Sequence, residues 1–144
     1  AHLSIGLFIV AAVYTEQFDY EKNITFEKGD NNEIALDKDT SLLLKNIKDS
    51  DLSNHQKISV DLIVVEKNLK YSLSPSKNIY QPSGQVTNEV STVNRYFDQY
   101  YATISMIESD KVSINLVYKP FINLLWISSI LLVFSIFLSI MKRK

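Results

Sequence analysis

Residues Phe121 to Met141 read FINLLWISSILLVFSIFLSIM, 21 residues in succession without a charged side chain. At about 1.5 Å of rise per residue a helix of this length covers roughly 30 Å, the thickness of a bilayer's hydrocarbon core. The segment is expected to be a transmembrane helix over 120–141, entered through Pro120, and it divides the rest of the chain between the two sides of a membrane. The mean hydropathy near zero is then an average over two unlike populations. A second apolar run, Ala1 to Thr15, opens the chain as AHLSIGLFIVAAVYT. It would span only about 22 Å, too short to cross unaided, so residues 1–15 read as the C-terminal part of a longer transmembrane helix. A secretory signal peptide cleaved near Ala11 and Ala12 is the alternative, but no Lys or Arg precedes the apolar run as such a signal requires.

Charge sets the expected orientation. Between Glu16 and Lys119 lie 12 of the 15 Lys and Arg and all 16 Asp and Glu, a net charge of −4, whereas Lys142, Arg143 and Lys144 follow the apolar run directly. Positive residues beside a membrane helix favour the cytoplasmic or matrix side, which puts the tail 142–144 there and the domain 16–119 on the opposite face. The acidic domain argues against nucleic acid as a partner, because phosphates call for a basic surface. With no cysteine in the chain, it supplies no disulfide, thiolate nucleophile or Cys-ligated zinc.

Within 16–119 apolar residues recur with period two, the signature of strands. In KISVDLIVVEK, Ile58, Val60, Leu62 and Val64 share one face, and in VSINLVYKP Val112, Ile114, Leu116 and Tyr118 do the same. Shorter strands are expected at 23–26, 33–36, 41–44, 70–73 and 100–107. Turns are expected at Lys28-Gly29-Asp30-Asn31 and at Ser83-Gly84, where Gly and Asn tolerate positive φ. Seven short strands predict a small antiparallel all-β domain, barrel or sandwich, between two transmembrane helices and outside the cytoplasm.

Few residues invite chemistry. His55 lies in the polar stretch DLSNHQK, near Asp49 and Asp51, and reads as a solvated loop rather than a metal or proton-relay site. Asn23-Ile24-Thr25 fits a glycosylation acceptor, a pattern common by chance. Tyr96, Phe97, Tyr100 and Tyr101 form an aromatic cluster that reads as core more readily than as a grip on a flat ligand. His2 stands apart, because it heads an apolar run with no other ionisable residue before Glu16 other than Tyr14. On a helix Ile5 and Gly6 lie beside it, with Ile9 and Val13 further along the same face. Gly6 leaves the backbone bare one turn from the imidazole, so a planar macrocycle could lie close, and imidazole is a common axial ligand of haem iron. A membrane-end histidine bonding to headgroups or to another helix is the other reading of the residues alone.

Taken in order, these segments resemble the C-terminal part of the CcmF family, the large membrane subunit of System I cytochrome c maturation. AHLSIGLFIV is similar to the family's Ala-His-Leu-Gly helix start, and KNITFEKGD to its first strand and Pro-Gly-Asp-like turn. YSLSPSKNIYQPSGQVTNEVSTV resembles a Leu-x-Pro-x-x-x-x-Tyr-Pro segment followed by a Thr-Glu stretch. RYFDQYYATI resembles an Asp-Leu-Tyr block, and INLVYKPFINLLWI a Tyr-Tyr-x-Pro strand running into a Trp-containing helix. Two sites depart from the pattern. Ser76 and Asn78 stand where the family tends to carry Glu and Arg after the position of Pro75, and Val112 and Asn115 where it tends to carry Trp and Arg.

The resemblance implies that His2 is one of two transmembrane histidines ligating a haem b, with Gly6 allowing its close approach. The second ligand and the Trp-rich haem-handling segment would belong to another part of the protein. It further implies a haem lyase subunit, not catalytic as this fragment alone, in a bacterial or mitochondrial inner membrane. Its partners would be the haem chaperone CcmE, a CcmH-type thiol subunit and apocytochrome c, with the β domain on the periplasmic or intermembrane-space side. The rival readings are a membrane-anchored extracytoplasmic β binding module and an assembly subunit without haem.

Overall fold

The computed structural model describes residues 2–27 and 33–141. The turn expected at Lys28-Gly29-Asp30-Asn31 and the basic tail 142–144 lie outside the described residues. Helix α1 (His2–Phe18) is followed by β1 (Tyr20–Glu27), β2 (Glu33–Asp37), β3 (Thr40–Asp51), β4 (His55–Glu66) and β5 (Leu69–Leu73). Then come β6 (Ser76–Tyr80), β7 (Val86–Glu89), β8 (Ser91–Asn94), β9 (Gln99–Ile107), β10 (Lys111–Lys119) and α2 (Ile122–Met141). The chain divides into two compact units, one of residues 1–20, 94–100 and 118–144, the other of residues 21–93 and 101–117.

The β unit is built on alternation. Ile58, Val60, Leu62 and Val64 of β4 are buried, as are Val112, Ile114 and Leu116 of β10 and Ala102 and Ile104 of β9. Strands β1, β10, β9 and β8, in that order, form one sheet; β2, β3, β4, β6 and β7 form a second, with β5 also paired to β4. The second sheet is organised by a long antiparallel hairpin in which β3 pairs with β4 from Thr40↔Glu66 to Asp51↔Gln56, with a register shift between Leu44 and Asn46. The other edge of β4 is shared, β5 pairing with residues 62–66 and β6 with residues 55–59. Buried Pro75 marks the changeover. It has no N–H to donate to a ladder, but its carbonyl accepts from Val60 N at 3.0 Å. Two lysines bridge the sheets, Lys22 Nζ donating to Leu36 O and Lys77 Nζ to Ser105 O.

Among the described residues there are ten strands where the sequence predicts seven. Strands β6, β7 and β8 are the additions, each four or five residues long and mostly polar. Gly84, at φ +68°, turns the chain between β6 and β7 as expected, with Gly84 N donating to Tyr80 O and Tyr80 N to Gln85 O, both at 2.8 Å. His55 is not in a loop. It is the first residue of β4, paired with Tyr80 and set against that ring at a tilt, with centroids 5.0 Å apart.

The helical unit contains the two apolar segments. Helix α1 runs to Phe18, about one turn beyond the end of the apolar run at Thr15. Helix α2 is the one described helix that is both long and apolar enough to cross a membrane. The helices pack through small residues: Ser4, Ala11 and Thr15 are buried on α1 and Ser128 on α2. Thr15 Oγ1 lies 2.8 Å from the carbonyl of Ala11 and 2.8 Å from that of Pro120. Beside it Lys119 Nζ pairs with the Asp19 carboxylate, so the end of α1 and the start of α2 are tied together by polar contacts.

Candidate functional site

Helical geometry separates α1 into two faces. Ser4, Ala11 and Thr15 fall on one stripe, and at about 100° per residue His2, Gly6, Ile9 and Val13 lie roughly half a turn round from it. His2 is exposed, as is Gly6, and Ile9 and Val13 are more than half exposed. A Cβ built on Gly6 would meet nothing within 4 Å. Packing against α2 therefore does not explain the missing side chain. The imidazole and the bare backbone share an open face, as their spacing predicts.

Those are the features a flat haem group would require from one side. An imidazole turned away from the neighbouring helix can offer a nitrogen to iron, and the glycine one turn along removes the bulk that would hold a macrocycle off the backbone. The residues present would supply one axial ligand at most. An open cleft of about 230 Å³ whose lining includes Leu3, Ser4, Leu7, Leu131, Phe134 and Ser135 lies on the other face, between α1 and α2. It is apolar and offers no titratable group.

The remaining candidates are dispersed. Asp49 is engaged by Gln56, whose Nε2 lies 3.0 and 2.9 Å from its two carboxylate oxygens, and His55 Nδ1 lies 2.7 Å from Asn54 Oδ1. Among the described residues no group of three metal-ligating side chains converges. Thr25 of the glycosylation triplet instead shares a hydrogen bond with Ser113 at 2.9 Å.

The aromatic cluster is divided by strand parity. Tyr100 is buried on β9 and packs on Tyr118 at 4.8 Å, whereas Tyr101 is half-buried. Phe97 is half-exposed and Tyr96 is 95% exposed. Both belong to the bend ahead of β9, which is fastened to the start of α2. Asp98 accepts from Phe121 N at 3.1 Å and from Tyr118 Oη at 3.0 Å. Asn123 N donates to Phe97 O at 3.1 Å, and Asn123 Nδ2 to Arg95 O at 3.0 Å.

Of the positions that depart from the family pattern, Ser76, Asn78 and Asn115 take part in polar contacts and Val112 does not. Ser76 Oγ, Lys57 Nζ and Asn78 Nδ2 all donate to the Glu89 carboxylate, the last two at 2.9 and 3.0 Å. These bonds, Ser76's foremost, hold the Glu89 carboxyl down at about 2. Asp61 is lowered chiefly by its bond to Lys48, at 2.7 Å, and also by Ser74, against an opposing effect of burial. Asn115 Nδ2 donates to Glu21 Oε1 at 2.6 Å, and Val112 is fully buried. In the sequence Glu89 stands out only as the glutamate of the Thr-Glu stretch, with no partner marked for it. The Ser83-Gly84 turn was its one available signal, since a hairpin there pairs Ser76 with Glu89.

No protein-family profile matches the chain, and no curated protein matches it in sequence. Among solved structures the chain is similar to "Cytochrome c Heme Lyase CcmF", with a TM-score of 0.67 over 89% of this chain at 12% identity. The match covers 21% of that protein, so the chain spans about a fifth of its length. The chain thus has the fold of a part of CcmF, in agreement with the resemblance carried by its ordered motifs.

Proposed function

We propose that this chain is a portion of a cytochrome c haem lyase subunit, with α2 crossing the inner membrane and α1 lying in it. The observation that carries this reading is the shared fold over nearly the whole chain, joined to the open His2–Gly6 face of α1. In this reading the β unit lies on the periplasmic or intermembrane-space side, and the basic tail 142–144 on the cytoplasmic or matrix side.

His2 would hold a haem b through one axial position, the second ligand coming from another part of the protein. Bound there, the haem would supply one-electron chemistry, its potential set by the ligands and by burial. The chain's own residues do the positioning. Packing of Ser4, Ala11 and Thr15 on one side of α1 fixes the rotation of the helix, so that His2 is turned away from α2. Gly6 keeps the adjacent backbone clear. The β unit offers no nucleophile or acid–base pair among its described residues and serves as a docking body for the haem chaperone CcmE, a CcmH-type thiol subunit and the incoming apocytochrome c.

The test is a comparison of the full-length membrane protein with its His2→Ala variant by oxidised and reduced visible spectra, with haem quantified per chain. Loss or shift of a b-type spectrum at unchanged expression is expected. Equal haem in both proteins would refute His2 as a ligand and leave an ordinary membrane-end histidine, and no haem in either would leave an extracytoplasmic docking module without haem.

A further inference from the structure

Five aromatic side chains in the helical unit are exposed and lie close together. Phe18 stacks on Tyr14 at 5.4 Å, Tyr14 meets Phe121 edge-on at 5.6 Å, and Phe121 stacks with Phe97 at 6.4 Å. Tyr96 follows Phe97 in the bend and is 95% exposed. The rings form a ribbon across the end of α1, the start of α2 and the bend at 95–98. That bend is fixed by the hydrogen bonds of Asp98 and Asn123 to the α2 start.

The ribbon coincides with a step in polarity on both chain segments. On α1 the apolar run ends at Thr15, just past Tyr14, and Phe18 lies one turn further on between Glu16 and Asp19, where the charged sequence begins. On α2 the charged sequence ends at Lys119, and Phe121 opens the apolar run. From there the surface continues into the exposed apolar side chains of α2, including Trp126, Ile127 and Ile130.

We propose that this ribbon is an interfacial anchor, seated in the headgroup layer of the bilayer and setting the depth at which the helix pair lies. The inference rests on the reading of α2 as a membrane-spanning helix. Aromatic rings are favoured at the boundary between hydrocarbon and water, where a flat apolar body meets a wet layer. A protein helix is the less suitable occupant. Where α1 and α2 do pack, they use Ser4, Ala11, Thr15 and Ser128, the small residues that let backbones approach, and the ribbon has none.

The experiment uses the full chain in phosphatidylcholine vesicles containing lipids brominated either near the headgroup or near the chain end. Native Trp126 is read in the wild type, and Tyr96→Trp or, as an aqueous control, Leu69→Trp in a Trp126→Phe background. Leu69 is 58% exposed on β5. The Tyr96→Trp probe is expected to emit to the blue of the Leu69→Trp probe, to be quenched more by bromine near the headgroup than near the chain end, and to resist iodide. If Trp126 is quenched by brominated lipid while the Tyr96→Trp probe is quenched only by iodide, the anchor is refuted and the spanning helix stands. Should Trp126 also escape brominated lipid, the membrane reading of α2 fails and the anchor with it.

Discussion

Leu62 sits at the centre of a buried row of leucines. It is 1% exposed, pairs with Leu44 on β3 and with Leu73 on β5, and those neighbours are 3% and 1% exposed. Leu62→Ala would leave a void bounded on both sides by hydrogen-bonded strands, which have little freedom to close over it. Large-to-small changes of this kind cost about 2–5 kcal/mol, and restricted collapse places this one at about 3–4 kcal/mol. Ile63, the next residue, points to the opposite face and is only half-buried, so Ile63→Ala should cost about 1 kcal/mol or less. The assay is urea unfolding of the full chain in detergent micelles, followed by circular dichroism of the β structure. With an m-value of about 1.5–2 kcal/mol per molar, the Leu62→Ala midpoint should fall by about 2 M at unchanged slope. An equal or larger loss for Ile63→Ala would refute the reasoning, because a strand shifted by one residue exchanges its two faces.

Glu89 and Asp98 provide two further tests. The folded carboxyl of Glu89 is lowered from 4.5 to about 2, so its contribution is complete above the ordinary carboxylate range and is lost as pH falls through about 2. The gap in urea midpoint between wild type and Glu89→Gln should be widest near neutrality and close in acid; a gap independent of pH would contradict it. Asp98→Ala removes the acceptor of Phe121 N and Tyr118 Oη and should cost about 1–2 kcal/mol. Hydrogen exchange at the first turn of α2 should rise by roughly tenfold or more, and unchanged protection at Phe121 would show that the carboxylate does not cap the helix.

What could be read in the sequence followed the contrast between neighbouring side chains. Strands β4 and β10 alternate apolar with polar residues, and the charge-free run of α2 is distinct from everything before it. Strands β6 to β8 consist of SKNIY, VTNE and STVN, where no apolar face declares itself. Their strand form comes from hydrogen bonds to the strands beside them, β6 to β4, β7 to β6 and β8 to β9. His55 was misplaced for the same reason: the polar company of DLSNHQK concealed a residue whose backbone pairs with Tyr80. In the candidate site, the common face of His2 and Gly6 is a matter of helical spacing and was legible. The side of α1 that meets α2 was not, since Ser4, Ala11 and Thr15 carry little hydrophobic contrast. The Glu89 network needed the pairing of two strands before its donors came within reach.

Tyr20 and Tyr118 stack at 5.2 Å, just inside the ion pair of Asp19 with Lys119. The path along the chain between those tyrosines is almost a hundred residues long, and within it residues 94–100 return to the helical unit. Seen from the helices, that length is a loop whose closure is already made, and lengthening such a loop costs only about 0.6 kcal/mol per doubling. Strands of the β unit can therefore be added, shortened or rewritten while the contacts within the helical unit, the 95–98 bend included, are kept. Sequence drift would be absorbed in the β unit, and the residues that cannot drift freely are those that close the loop and those of the bend that holds the start of α2.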